Sequence, residues 1–379
     1  MSSESPLRVP VTVLGGFLGA GKTTLLRHLL TLAQGRRWAA VVNDLASVNI
    51  DAQVVAQAGA SRVVELGNGC VCCTVRDALA ETVAELAVEG KYEHIWVETT
   101  GVADPRGVAA LFLRRNAFGR TLGDFARLHA LVTVVDAAQI LRVWREDRAR
   151  AGGRLDGRRE PKQVFELMLE QVECADLHVL NKVDLVSAGE RTEVEQYLGE
   201  LNPRAERVAV TEGRVPADLL PGAPRFDPAA TLGAARWLRV LEAAKSGVRP
   251  AGAAPVPAHA SWPTLVFCER RPFDEERLRT VIERRHPGLL RAKGFFWLAG
   301  RPDEMGFLSV AGGVVRWEYV GTWAAALRER GVISEEEIPA SARANWAEPH
   351  GDRRQELVFI GVELDRDALQ RDLTAALTE

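Results

Sequence analysis

The sequence predicts an α/β fold, with a mostly parallel sheet in the first half of the chain and a smaller α+β domain in the second. Three observations predict it. The apolar run Val9 to Leu14 leads into Gly15 to Thr24, GGFLGAGKTT, which opens onto the helix-like Leu25 to Leu30. Short apolar strands and helix-like stretches then alternate as far as Asp184, the pattern of βαβ units. Beyond residue 262, alternating strand-like runs with glycine between them replace that pattern, as in paired antiparallel strands.

Gly16, four intervening residues, Gly21, Lys22 and Thr23 make the full phosphate-loop pattern, so the first half reads as a P-loop NTPase domain. Glycine lets the backbone turn tightly and approach a polyphosphate, so that successive N–H groups and the next helix start face negative charge. Gly16, Gly19, Ala20, Gly21, Lys22, Thr23 and Thr24 are the candidate phosphate-binding residues. Lys22 would reach the β- and γ-phosphates, and Thr23 would offer its hydroxyl to Mg²⁺. The competing reading is a merely structural glycine-rich turn.

Trp38 to Asn43 reads as the next strand, with Asp44 to Asp51 as the loop leaving it. Ligands in doubly wound sheets bind beyond the carboxyl ends of strands. Asn43 and Asp44 are placed near a nucleotide on that ground, although an Asn-Asp pair also makes an ordinary turn.

Val63 to Leu66 is a further strand, followed by Gly67-Asn-Gly-Cys70-Val-Cys72-Cys73 and a helix over Thr74 to Glu89 capped by Thr74. Thiolates suit Zn²⁺ and other borderline metals, and a helix start lowers thiol pKa. Three thiols leave a tetrahedral site one ligand short, which suits transfer better than storage. A redox-active or incidental cluster is the alternative. Cys174 and Cys268 are single cysteines in apolar context and read as core.

His94 to Gly101, HIWVETTG, ends a strand in Glu98 with a glycine three positions on. That spacing suits a carboxylate serving Mg²⁺ and a backbone N–H sensing the γ-phosphate. Asp104 and Pro105 then read as the cap and first residue of a helix. Leu128 to Val135 forms a strand ending at Asp136, and Arg- and Gly-rich Trp144 to Glu160 reads as a solvated loop or insertion. Phe165 to Cys174 is helical, and the strand Leu177 to Leu180 ends in Asn181-Lys182-Val183-Asp184. A carboxylate at Asp184 can accept both N–H donors on one edge of guanine, a pair adenine does not present, while Lys182 lies along the base. The tetrapeptide is weak alone, but downstream of a phosphate loop it favours GTP over ATP.

In the second half, Pro216 to Pro263 is rich in Ala, Pro and Gly, with a helix-like piece at Leu232 to Ala244. Strands are expected at Thr264 to Glu269, Gly294 to Ala299, Gly306 to Val310, Val314 to Tyr319 and Leu357 to Ile360, with a helix at Phe273 to Arg285 and hairpin glycines Gly312 and Gly313. Phe295, Phe296, Trp297, Trp317 and Trp323 read as core rather than a partner surface. The expected division is a GTPase domain over 1–225, a linker with a short helix over 226–261, and the α+β domain over 262–379.

Composition excludes several classes. At 379 residues the chain is long enough for two domains, and 47% hydrophobic with 26% charged residues is ordinary globular composition. A formal charge of −3 gives no reason to expect nucleic acid or an anionic membrane as partner. No apolar run approaches the ~18 residues of a membrane span, and MSSESPLRVP lacks a signal-peptide core, so a cytoplasmic protein is expected. Among 48 basic residues only Lys22, Lys91, Lys162, Lys182, Lys245 and Lys293 are lysines, which singles out Lys22 and Lys182 inside motifs.

Taken together, GGFLGAGKTTLL, GNGCVCCTVRDAL, ETTGVADP and NKVD make the chain similar to the CobW family of metal-related P-loop GTPases, which also include hydrogenase and urease nickel-insertion proteins. Arg271-Pro-Phe, RAKGFFWLA from Arg291, and GDRRQELVFIG from Gly351 resemble landmarks of the family's C-terminal domain. The resemblance implies a GTP- and Mg²⁺-dependent metallochaperone or insertase for Zn²⁺ or Co²⁺. It implies catalytic roles for Lys22, Thr23, Asp44, Glu98 and Gly101, guanine binding by Asn181, Lys182 and Asp184, Mg²⁺ at Thr23 and Glu98, and transfer metal at Cys70, Cys72, Cys73 and Asp44. The expected partners are GTP and a metal-requiring client protein, with a homodimer left open, and neither nucleic acid nor membrane. The alternative is a GTP-switched assembly factor for a cobalamin-biosynthesis or nitrile hydratase-type client, with metal incidental. Two departures stand out. Where many members read N-E-F-G-E, this chain has Asn43-Asp-Leu-Ala-Ser47, so an acidic ligand has become serine. R-P-F-H is Arg271-Pro-Phe-Asp274 here, and there is no histidine-rich tract.

Overall fold

The structure is a computed structural model. It describes residues 8–33, 35–42, 60–66, 72–113, 115, 119–149, 160–217, 219, 224–227, 263–284, 286–311, 314–361 and 364–378, with the side chains of 65, 72–76, 147–149, 160–165 and 341 outside that description. Contacts divide the chain into two units, residues 1–142 with 167–236, and residues 143–166 with 237–379.

The first unit is built on β1 (Val9–Gly16), β2 (Trp38–Val42), β3 (Arg62–Glu65), β4 (His94–Glu98), β5 (Ala126–Asp136), β6 (Leu177–Asn181) and β7 (Glu206–Ala209). They form one sheet in the order β3-β2-β4-β1-β5-β6-β7, every pair parallel. Alternation explains how both faces are covered. Val11 and Val13 with Ala39 and Val41 face one core, while Leu14 with Ala40 and Val42 face the other. On the second face lies α1 (Lys22–Thr31), whose buried Leu25, Leu26, Leu29 and Leu30 repeat at helical spacing. Each contributes about 1.5–3 kcal/mol by leaving water. On the first face lie α2 (Cys72–Val88), through Leu79, Val83 and Leu86, and α3 (Pro105–Leu113), through Ala109 and Phe112.

Because the sheet is parallel, β1, β4, β5 and β6 all end at one edge. Leu14 is in register with Glu98, Gly16 with Val134, and Asp136 with Asn181. The chain leaves β1 toward β2 and β3 on one side and later fills β5, β6 and β7 on the other. The phosphate loop therefore sits at the point where strand order reverses.

Helices α4 (Ala137–Ala149), α5 (Glu160–Cys174) and α6 (Ala188–Leu201) complete the first half of the chain. The solvated loop expected over Trp144 to Glu160 is corrected at its two ends: Trp144 to Ala149 belong to α4, where Trp144, like Ile140 and Leu141, is buried, and Glu160 opens α5, while residues 150–159 lie outside the described residues. The Arg and Asp residues around Trp144 hid that apolar spacing. The helix expected from Thr74 begins two residues earlier, so Thr74 lies inside α2 rather than capping it. Asp104 does cap α3, accepting from the N–H groups of Arg106 and Gly107.

In the second unit, β8 (Thr264–Glu269), β9 (Leu289–Leu298), β10 (Arg301–Ala311), β11 (Val314–Thr322) and β12 (Gln355–Gly361) form an antiparallel sheet in the order β11-β10-β9-β12-β8. Helices α7 (Glu275–Glu283) and α10 (Arg366–Ala375) bury Leu278, Ile282, Leu369 and Leu373 among Phe267, Phe296 and Phe359. The short α8 (Ala324–Glu329) and α9 (Ala340–Arg343) lie between β11 and β12 in sequence. Phe296, Trp297 and Trp323 are core, as expected, with Phe295 and Trp317 packed against it. Cys268 is not core: its position on β8 leaves it exposed, whereas Cys174 is buried. Arg291 and Lys293 on β9 are buried as well, and Arg291 donates to Ser309, which donates to Glu166. The helix-like stretch 232–244 and the hairpin glycines Gly312 and Gly313 lie outside the described residues.

Candidate functional site

The phosphate loop is shaped by what its glycines touch. Gly16 has φ 134°, and a Cβ there would lie 2.3 Å from the Val134 carbonyl of the neighbouring strand. Gly21, at φ 101°, would place a Cβ 2.4 Å from Asn181 Nδ2. Neither position admits another side chain. α1 starts at Lys22, so its first-turn N–H groups and positive end adjoin the loop. The Lys22 ammonium donates to the carbonyls of Gly16 at 3.0 Å and Phe17 at 3.2 Å, which folds this buried side chain back over the loop.

Three strands on in sequence from β1, β4 delivers Glu98, 4% exposed, to the same edge. Thr23 donates its hydroxyl to Glu98 Oε1 at 2.6 Å. A hydroxyl and a carboxylate at the first turn of a phosphate-binding helix are hard oxygen donors, and they fit Mg²⁺ held together with phosphate oxygens. Beyond Glu98 the chain bonds back to β1 through Thr99 N–H to the Leu14 carbonyl. Gly101 then approaches the phosphate loop so closely that a Cβ would lie 2.6 Å from the Leu18 nitrogen.

The end of β6 supplies the third part. Asn181, 2% exposed, donates through Nδ2 to the Ala20 carbonyl at 2.9 Å and accepts the Gly213 N–H at Oδ1 at 3.0 Å. One amide thus ties the phosphate loop to the segment after β7. Lys182 takes a left-handed backbone, φ 59°, and its ammonium pairs with Asp136 at 2.8 Å. A cavity of about 890 Å³ is lined by Gly19, Gly21, Thr24, Asn181, Lys182 and Asp184, with Arg27, His28 and Arg214 farther along its wall. Its size is that of a small-molecule site.

The structure therefore brings together Gly16, Gly19, Ala20, Gly21, Lys22, Thr23, Thr24, Glu98, Gly101, Asn181, Lys182 and Asp184. Cys72 and Cys73 fall in the first turn of α2, the helix that follows β3 in the chain. Asn43, Asp44, Ser47 and Cys70 lie outside the described residues, as do the side chains of Cys72 and Cys73. Among the described residues no group of three or more His, Cys, Asp or Glu side chains could hold a metal ion. Residue-by-residue reading missed Asp136 and Gly213. Asp136 carried a signal, since it ends a strand at the edge where Glu98 and Asn181 end theirs, whereas nothing in the sequence ties Gly213 to Asn181.

Comparison with known proteins follows the same outline. A family model described as "CobW/HypB/UreG, nucleotide-binding domain" matches residues 10–209. The chain belongs to the CobW/HypB/UreG family. A second model, "Cobalamin synthesis protein cobW C-terminal domain", matches residues 262–377, so the family assignment extends over both halves. Among curated relatives, a Dictyostelium discoideum protein named zinc-regulated GTPase metalloprotein activator 1 is 32% identical over 371 residues, covering 93% of this chain and 76% of its own. A Pseudomonas aeruginosa protein named zinc chaperone CobW is 35% identical over 235 residues, 57% of this chain and 60% of its own. An Escherichia coli protein named zinc chaperone YjiA is 26% identical over 373 residues, 96% of each chain. Among the described residues no helix is long and apolar enough to cross a membrane.

Proposed function

We propose that the protein is a GTP-hydrolysing metallochaperone that takes Zn²⁺, or a similar divalent metal such as Co²⁺, on Cys70, Cys72 and Cys73 and passes it to a client protein under nucleotide control. The observation that carries this reading is the Thr23–Glu98 pair beside Lys22, on the same sheet edge as Asn181, Lys182 and Asp184. Family membership and the names of the relatives support the same direction.

In this reading Lys22 and the loop N–H groups neutralise the β- and γ-phosphates, and Asp184 reads guanine. Mg²⁺ held by Thr23 and Glu98 would supply charge neutralisation at the phosphates. Gly101 offers its N–H to the γ-phosphate. Among the described residues no side chain of the site is an evident base for water, which supports slow intrinsic hydrolysis in this reading. Cys72 and Cys73 open α2, and in this reading the segments that respond to nucleotide state also carry the metal donors, Asp44 among them. The client, a homodimer and a cytoplasmic location belong to this proposal.

Zinc affinity of the Cys72→Ala, Cys73→Ala double variant tests it, measured by competition with a chromophoric chelator in the presence of GDP and of a non-hydrolysable GTP analogue. Loss of zinc binding in the variant, and a difference in affinity between the two nucleotides in the parent, are expected. Unchanged tight binding in the variant would remove the metal assignment. Metal-free protein that still captured its client only with GTP would favour the assembly-factor reading instead.

A further inference from the structure

Helix α5 carries a glutamine that the phosphate loop, magnesium pair and guanine segment do not account for. Gln171 is 1% exposed, and its side-chain amide donates to two backbone carbonyls of the loop after β4, Gly101 at 3.1 Å and Ala103 at 3.1 Å. The two acceptors bracket Val102, which is half-exposed, and the loop closes on itself through Ala103 N–H to the Thr100 carbonyl. Gln171 is itself held in place: Thr133 on β5 donates its hydroxyl to the Gln171 carbonyl at 2.8 Å, and Thr133 sits in register with Gly15 of β1. On the far side of the loop, Gly101 abuts Leu18 of the phosphate loop.

We propose that Gln171 is the positioning residue of the γ-phosphate-sensing loop: its amide fixes the Gly101 and Ala103 carbonyls, and so aims the Gly101 N–H into the phosphate site before nucleotide arrives. This deepens the functional reading above and rests on it. The physical argument is one of preorganisation. The six-residue connection Thr99 to Asp104, with Gly101 within it, has many backbone states, and a buried amide that satisfies two of its carbonyls leaves few of them. A buried donor pair matched to two acceptors is also costly to break, because the buried Gly101 carbonyl then loses its partner away from water and the part-buried Ala103 carbonyl loses its own. GDP makes no use of that N–H, whereas a γ-phosphate does, so the clamp acts on one nucleotide and not on the other.

The experiment uses the full chain. Gln171→Met keeps the length of the side chain without its donors, and Gln171→Glu keeps its shape while turning a carboxylate toward two carbonyl oxygens. Thr133→Val, which removes only the pin on Gln171, serves if either variant does not fold. Affinity for GDP and for a non-hydrolysable GTP analogue with Mg²⁺ is measured by calorimetry. The expected result is GDP affinity within about twofold of the parent and analogue affinity weakened about tenfold, with a smaller loss of the same selectivity for Thr133→Val. Equal weakening of both nucleotides, or of neither, overturns the proposal. A parent protein that binds neither guanine nucleotide overturns the functional reading itself, and is distinguished from the other outcomes by that failure in the parent.

Discussion

The Thr23 hydroxyl lies 2.6 Å from Glu98 Oε1, although the two residues are 75 positions apart. β1 and β4 are parallel neighbours with Leu14 opposite Glu98, so the strand-end carboxylate meets the first turn of α1. If this pair holds Mg²⁺, Glu98→Gln and Thr23→Ala each lower the GTP hydrolysis rate by about 100-fold or more, with GDP affinity changed far less. Phosphate release titrated against Mg²⁺ measures this. A variant with the parent's rate and magnesium dependence would remove Glu98 from the site.

Asn181 makes a second prediction, about stability as well as binding. Asn181→Ala leaves the Ala20 carbonyl and the Gly213 N–H without their partner in a buried place, at a cost of about 1–3 kcal/mol. The urea midpoint of the nucleotide-free protein falls accordingly. A midpoint equal to the parent's would show that water replaces the amide.

Asp136 holds Lys182 at 2.8 Å, with the carboxylate mostly buried and the lysine about one-third exposed. Asp136 also accepts the Gln139 N–H at the start of α4. Asp136→Asn releases the Lys182 ammonium from the position it holds just past the end of β6. The ion pair is partly screened by solvent, so the expected loss is ~1 kcal/mol, about fivefold in GTP and GDP affinity alike. Fluorescence titration with a labelled guanine nucleotide reads it, and a loss confined to GTP would contradict the assignment.

Acid stability follows from three buried groups away from the site. Burial, with His129 close by, depresses His94 to about 3, and burial depresses His178 to about 4. Burial raises Asp176 to about 6, against the opposing Leu131 N–H bond and the Arg204 guanidinium. Between about pH 4.5 and 6 the unfolded chain binds protons at both histidines that the folded chain refuses, while the folded chain keeps one at Asp176 that the unfolded chain releases. The unfolded state therefore binds about one proton more. Stability from these groups rises with pH across that window by about 1.4 kcal/mol per pH unit, and is lost as pH falls through it. Asp176→Asn removes the opposing group and steepens the dependence. Urea unfolding at several pH values between 4.5 and 6 checks both statements, and a flat profile for the parent would show that the histidines are not buried neutral.

The sequence by itself determined the order of the parts: a phosphate-loop pattern after an apolar run, a carboxylate closing β4, an Asn-Lys-Val-Asp closing β6, and antiparallel strands with an aromatic core after residue 262. These are legible because each rests on local chemistry, a glycine where a turn must be tight or alternation where a face must be buried. The α4 helix through Trp144, the exposed thiol of Cys268 and the helix start ahead of Thr74 were not legible, because charge density, face assignment and cap geometry depend on what packs alongside. Only the tertiary structure decided that Asn181 bonds Ala20 and Gly213, that Asp136 holds Lys182, and that Gln171 reaches Gly101 and Ala103. Those partners lie far apart in the chain and meet because a parallel sheet brings its strand ends to one edge, a consequence of strand order that no local pattern encodes.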